Sequence, residues 1–143
     1  MDEIFMLAAL AQSRKALPEC LPNPPVGCAI VDGQEIVAQG YTQAPGKHHA
    51  EADALKQIQG KAFNSLKMYV TLEPCSFHGR TPACALAIAK DCRIHEIYVS
   101  ILDPDHRNNG KGLDILRIAG KIVNVGLCAN EVNAFLSLYL LKS

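Results

Sequence analysis

The sequence predicts an α/β fold in which a five-stranded mixed sheet carries helices on both faces. Three observations carry that prediction. Two short apolar runs early in the chain are joined by Asp32-Gly33, a strong hairpin signal. After them, strand-like runs alternate with segments of helical spacing, the order expected of strands joined by helical crossovers. Hydrophobic residues make up 49% of the 143 and charged residues 20%, which suits one globular domain with its own core over residues 1–143.

Each element has a local reason. Residues 2–17 carry apolar side chains at Ile4, Phe5, Leu7, Ala8, Ala11 and Leu17, a helical stripe, with Asp2 and Glu3 at its positive N-terminal end. Pro18 ends that helix, and the four prolines of residues 18–25 make a constrained loop around Asn23. Residues 26–31 and 35–41 are the hairpin strands. A Gly/Pro loop leads to a helix from about residue 49 to residue 58, with Gly60 beyond its end. Residues 67–72 form the third strand, stopped at Pro74. A short helix runs from Pro82, a good first helical residue, to about residue 90. The fourth strand covers residues 96–101, and a long polar loop, 103–112, follows it. A helix over 113–119 closes at Gly120, residues 122–125 are the fifth strand, and Asn130 N-caps a last helix over 131–141. The last strand-helix-strand unit should be a parallel, right-handed crossover.

Composition excludes several classes. The formal net charge is zero and no basic stripe is evident, which argues against a nucleic-acid partner. The apolar run over 134–141 is far too short to span a bilayer, and Met1-Asp2-Glu3 lacks the basic start of a secretory signal. No membrane partner and a reducing, cytoplasmic location are therefore expected. In such a location the six cysteines are not a disulfide framework. Cys75 and Cys84 remain as ligand candidates, and Cys20, Cys28, Cys92 and Cys128 read as buried small hydrophobes.

The chemistry lies in His49-Ala50-Glu51 and in the stretch from Thr71 to Cys84. His49, Cys75 and Cys84 offer one nitrogen and two sulfurs, a donor set for one zinc ion. Three protein ligands leave the fourth tetrahedral position to water, as in catalytic rather than structural sites. Glu51 is not needed as a ligand and is free to move protons. This is the H-x-E…P-C…C pattern of the zinc deaminases. Alone, a His before a helix is usually a surface residue and a Cys is usually packing; the joint pattern carries the assignment. The second Cys follows the first by nine residues rather than three, which points to one branch of that pattern. Both ligand-bearing helices should aim their N-termini at the metal, where free N–H groups favour thiolate.

The passage Leu72-Glu73-Pro74-Cys75-Ser76-Phe77-His78-Gly79-Arg80-Thr81-Pro82-Ala83-Cys84 resembles the T-L-E-P-C-S-H-x-G-[RK]-T-P-P-C motif of the deaminase domain in the riboflavin-biosynthesis deaminase/reductase family. Asn23-Pro24-Pro25-Val26-Gly27-Cys28 is similar to that family's N-P-x-V-G-C, and Asp103-Pro104 with Gly110-Lys111-Gly112 to its D-P-x-x…G-x-G stretch. The resemblance spans almost the whole chain. It implies the three-layer α/β/α fold called cytidine deaminase-like. It also implies hydrolytic deamination of a phosphorylated aminopyrimidine, 2,5-diamino-6-ribosylamino-4(3H)-pyrimidinone 5′-phosphate. His49, Cys75 and Cys84 would hold zinc and Glu51 would carry protons. Asn23 would hydrogen-bond the substrate, its other reading being a turn residue between prolines. Arg80 would meet the phosphate or remain a solvated loop charge, and His78 would line the pocket or stay exposed. The chain stops where the family's reductase domain would begin, so no NADP is expected. Relatives that self-associate imply a homodimer; the apolar face of the last helix (Val132, Phe135, Leu136, Tyr139, Leu140) fits either a subunit contact or ordinary core.

Three positions depart from the motif. Phe77 stands in place of its first His, Ala83 in place of its second Pro, and residues 105–109 in place of its N-P-x-V run. These leave the zinc chemistry intact and open the substrate. The alternatives are a free base, a nucleoside or a specialised-metabolite intermediate, then a tRNA or single-strand deaminase, then a protein in which zinc only holds the fold.

Overall fold

Successive residues of a strand face opposite ways, and here that alternation assigns each helix to a side of the sheet. The computed structural model describes residues 1–77, 79 and 82–140. Its elements are α1 (Asp2–Arg14), β1 (Gly27–Asp32), β2 (Glu35–Tyr41), α2 (Ala50–Gln57), β3 (Leu66–Leu72), α3 (Cys84–Lys90), β4 (Ile94–Ile101), α4 (Lys111–Ile118), β5 (Ile122–Val125) and α5 (Ala129–Leu136), which runs into a 3₁₀ turn at Ser137–Tyr139. The strands lie in the order β2-β1-β3-β4-β5. β1 is antiparallel to both neighbours, whereas β3–β4 and β4–β5 are parallel. The mixed five-stranded sheet is as expected, and so is the parallel β4–α4–β5 unit. Among the described residues no helix is long and apolar enough to cross a membrane.

Ala29 and Val31 of β1 and Tyr69 of β3 pack with Phe5, Met6 and Ala9 of α1. The alternate residues Cys28, Ile30, Met68 and Val70 join the larger cluster, with Ala54 of α2, Ile88 of α3 and Leu113 and Leu116 of α4. α5 lies beside α1, where the Arg14 guanidinium sits 4.7 Å over the Phe135 ring. α2 rests directly on β2, since a Cβ on Gly40 would come within 2.3 Å of the Ala50 carbonyl oxygen. That contact fixes the start of α2, and with it His49 and Glu51.

Several local expectations are corrected. The buried face of α1 is Phe5, Met6, Ala9 and Leu10, while Ile4 and Leu7 are exposed. The helix ends at Arg14, ahead of Pro18. The hairpin turn is Gly33-Gln34, with Gly33 at φ +64° and Asp32 still paired to Glu35. α3 begins at Cys84 rather than Pro82, with Ala83 as its extended N-cap residue. α5 begins at Ala129 and is preceded by Cys128 at φ +57°, so Asn130 lies inside the first turn instead of capping it. Cys92 is exposed and Cys128 half-buried, unlike the buried Cys20 and Cys28.

Candidate active site

Pro74 cannot continue the ladder of β3, so the chain turns out of the sheet there and places Cys75 beyond the strand's C-terminal end. The turn is locked onto α3. The Cys75 carbonyl accepts the Ala85 N–H at 3.0 Å, and the Cys75 Sγ accepts the Cys84 N–H at 3.2 Å. Cys84 is itself the first residue of α3, while His49 is the extended N-cap residue of α2. Both helix starts therefore meet at one point, as their sequences predict. His49 Nδ1 lies 3.8 Å from Cys75 Sγ and 3.5 Å from Cys84 Sγ. The three ligand atoms all fall within 4.8 Å of one another. A tetrahedral zinc with bonds of about 2.3 Å to sulfur and about 2.0 Å to nitrogen separates its ligand atoms by roughly 3.5–3.8 Å. The donor set and its spacing fit that ion, and both thiols are free of disulfides.

Glu51, in the first turn of α2, is 4% exposed. Burial, reinforced by the charge of Cys75, pushes its carboxyl up to about 7. Hydrogen bonding from the Cys84 side chain, then from His49 and the Cys84 backbone, pulls the Cys75 thiol down to about 4. The same shared bond and burial push Cys84 up, and His49 is raised chiefly by its bond to Cys75.

The loop bearing Cys75 has a second anchor that sequence reasoning missed. The buried Glu73 carboxylate accepts backbone N–H groups from Asp103 (3.2 Å), Gly110 (3.0 Å) and Leu113 (3.3 Å). The fully buried Asn108 donates from Nδ2 to the Pro74 carbonyl and to Asp103 Oδ2. A Cβ on Gly112 would lie 2.0 Å from the Pro74 carbonyl oxygen, so α4 touches this loop backbone to backbone. The available signal was a carboxylate placed between an apolar strand and a proline, where solvation is unavailable. Thr71 and Thr42 were missed as well; their hydroxyls accept the Gly27 and Val26 N–H groups and pin the chain leaving Asn23.

His49, Glu51 and Cys75 line a cavity of about 440 Å³, together with Asn23, Phe77, Asp103, Asp105 and Arg107. Asn23 is thus brought to the same cavity as Glu51. Among the expected substrate contacts, His78 and Arg80 lie outside the described residues.

The pattern of the cytidine and deoxycytidylate deaminase zinc-binding region matches residues 1–101. The chain belongs to that deaminase family. Its cofactor is zinc, and the cluster His49, Cys75 and Cys84 can hold one ion. The deaminase is 39% identical over 130 residues to the diaminohydroxyphosphoribosylamino-pyrimidine deaminase of Buchnera aphidicola subsp. Schizaphis graminum, covering 91% of this chain and 87% of that one. It is 43% identical over 131 residues to the riboflavin biosynthesis protein RibD of Aquifex aeolicus, covering 92% of this chain and 36% of that protein. The Acinetobacter baumannii RibD structure, form 2, superposes with a TM-score of 0.90 at 36% identity, over 97% of this chain and 39% of that one. The deaminase therefore spans little more than a third of the RibD proteins and most of the Buchnera enzyme. The cytidine deaminase-like fold expected from the sequence is the observed one.

Proposed function

We propose that the chain catalyses hydrolytic removal of the 2-amino group of 2,5-diamino-6-ribosylamino-4(3H)-pyrimidinone 5′-phosphate, a step towards riboflavin. The observation that carries this reading is the cluster of His49, Cys75 and Cys84, of which His49 and Cys75 line a cavity shared with buried Glu51 and with Asn23. The Buchnera relative named for that reaction, matched over most of its length, supports the substrate.

In the overall reaction a water oxygen bonds to ring carbon C2, the bond from C2 to the exocyclic nitrogen breaks, and the nitrogen leaves as ammonia. His49 Nδ1, Cys75 Sγ and Cys84 Sγ would hold the zinc ion, which when bound would supply a Lewis acid able to bring the pKa of water to about 7. Glu51 stays outside the ligand set and shielded from solvent. Its carboxylate oxygen takes the proton of the attacking water and delivers it to the departing nitrogen. Asn23 offers an amide donor and acceptor to the heterocycle, whose amino and carbonyl edges need both. The cavity, at about 440 Å³, falls in the range of small-ligand sites. Glu73 and Asn108 hold the Cys75 loop in place.

Ammonia release from a panel tests this: the diaminopyrimidinone with and without its 5′-phosphate, cytidine, dCMP and free aminopyrimidine bases. Turnover should be confined to the diaminopyrimidinone and be best with the phosphate. Turnover of a free base or of cytidine instead would sink the substrate assignment.

A further inference from the structure

We infer that Arg107 is a phosphate-binding, specificity-determining residue of this site, held ready by Asp105 and Phe77. The inference rests on the substrate class proposed above and assigns a group that reads its phosphate. Arg107 belongs to the 105–109 run and Phe77 to the metal-binding loop, two of the three places where the chain departs from the motif it resembles. The structure puts these two departures in contact.

The Arg107 guanidinium lies 4.6 Å over the centre of the Phe77 ring. Its Nε donates to both Asp105 oxygens at 3.1 Å, and Nη2 donates to Oδ2 at 2.6 Å. One face and one edge of the guanidinium are thereby taken. Nη1, which carries two N–H donors, makes no hydrogen bond among the described residues. Phe77, Asp105 and Arg107 all line the cavity that holds Glu51, and Arg107 is the one Lys or Arg among its described lining residues.

A guanidinium fixed this way is suited to phosphate. Its fork presents parallel donors to two phosphate oxygens. The stack on Phe77 and the clamp by Asp105 already restrict its rotamers, so less side-chain entropy is lost on binding. Asp105 stays ionised, since the hydrogen bonds from Arg107 hold its carboxyl down at about 2. Its charge faces one edge of Arg107 and leaves the other for the ligand. Phe77 adds an apolar wall, which strengthens a charge-assisted bond made beside it.

The test is a kinetic split backed by direct binding. In zinc-loaded protein, R107M should raise KM for the phosphorylated substrate roughly 10- to 100-fold, the size of a lost charge-assisted contact. Its kcat, and its KM for the dephosphorylated nucleoside, should stay within about twofold. R107K should restore part of the loss, as a point charge without the fork. Calorimetry with ribose 5-phosphate gives a second readout independent of turnover: binding should be present in the native chain and lost in R107M. Equal KM values for native and R107M protein on the phosphorylated substrate, with ribose 5-phosphate bound alike, would overturn the inference and leave the deaminase reading standing. Loss of ribose 5-phosphate binding in R107M, in a protein that releases ammonia from neither substrate, would uphold Arg107 and overturn the deaminase reading. A KM rise of the same size for both substrate forms would also overturn the inference, because the arginine would then be shaping the pocket rather than reading phosphate.

Discussion

Gly110 donates its backbone N–H to Oε1 of Glu73 at 3.0 Å, joining positions 37 residues apart. The same carboxylate takes N–H groups from Asp103 and Leu113, so one buried acid ties the loop after β4 and the start of α4 to the turn carrying Cys75. Removing it strands three backbone donors, that of Leu113 buried and those of Asp103 and Gly110 part-buried. E73A should lose at least about 2 kcal/mol of stability and E73Q, which keeps one acceptor, distinctly less. Urea unfolding of the two variants would check this. Equal stability of E73A and the native chain would show that water replaces the carboxylate.

Gly112 tests the same junction by sterics. A side chain there must push α4 away from Pro74, because its Cβ would sit 2.0 Å from the Pro74 oxygen. G112A should cost about 1–3 kcal/mol, the usual range for overpacking. It should also weaken metal retention, because Cys75 adjoins Pro74. Thermal melting followed by metal analysis after dialysis against a mild chelator would measure both.

These two contacts mark where the sequence stops being readable. The candidate ligand cluster was legible because metal chemistry restricts residue types at short spacing: His49 and Glu51 share one helix start, and Cys75 follows a strand through Pro74. The strands were legible from apolar runs and from Asp32-Gly33. The buried face of α1 was not, because residues 4–10 are all apolar and periodicity has no polar side to set the phase. Nor was the start of α5, which hangs on a non-glycine residue, Cys128, at positive φ. Glu73 with Gly110, and Phe77 with Arg107, are long-range pairs that only the crossover β3–α3–β4 brings together.

Substitution of any one zinc donor should empty the site. H49A, C75S and C84S should each bring bound zinc well below one ion per chain and abolish ammonia release. A strong chelator should do the same to the native protein, with zinc restoring activity. Since the two thiols approach one imidazole at 3.8 and 3.5 Å, a metal bound there would also hold α2 to α3. Melting temperature should fall with the metal. Full zinc occupancy in C84S would remove Cys84 from the ligand set.

Glu51 separates a catalytic zinc from a structural one. It lies beside His49 but outside the cluster of donor atoms. E51A should keep zinc and fold while kcat drops by roughly 10²–10⁴, the range for loss of a general acid–base group. Metal content, circular dichroism and ammonia release on one preparation decide it. Activity surviving in E51A would leave zinc as a structural clamp.

A pH effect on stability follows from a pair remote from the site. Arg93 donates to Asp91 from Nη2 at 2.7 Å and from Nε at 2.9 Å, and from Nη1 to the Ile58 and Lys61 carbonyls at 2.7 and 2.9 Å. It thereby staples the end of α2 to the start of β4. These hydrogen bonds hold the Asp91 carboxyl below its ordinary value. A carboxyl lowered in the folded state stabilises the fold at pH values above its unfolded pKa of about 3.9, and that contribution fades as pH falls through the lower folded value. D91N should therefore be less stable than the native chain at pH 7 by about 1 kcal/mol, a figure discounted for the pair's contact with solvent. The difference should shrink as pH falls through the lowered folded value, where Asp91 itself takes up a proton. Urea midpoints of both proteins at pH 7 and pH 3 would measure the gap. A gap that is constant across that range would mean that Asp91 acts through shape alone, its Arg93 contact adding no charge-dependent stability.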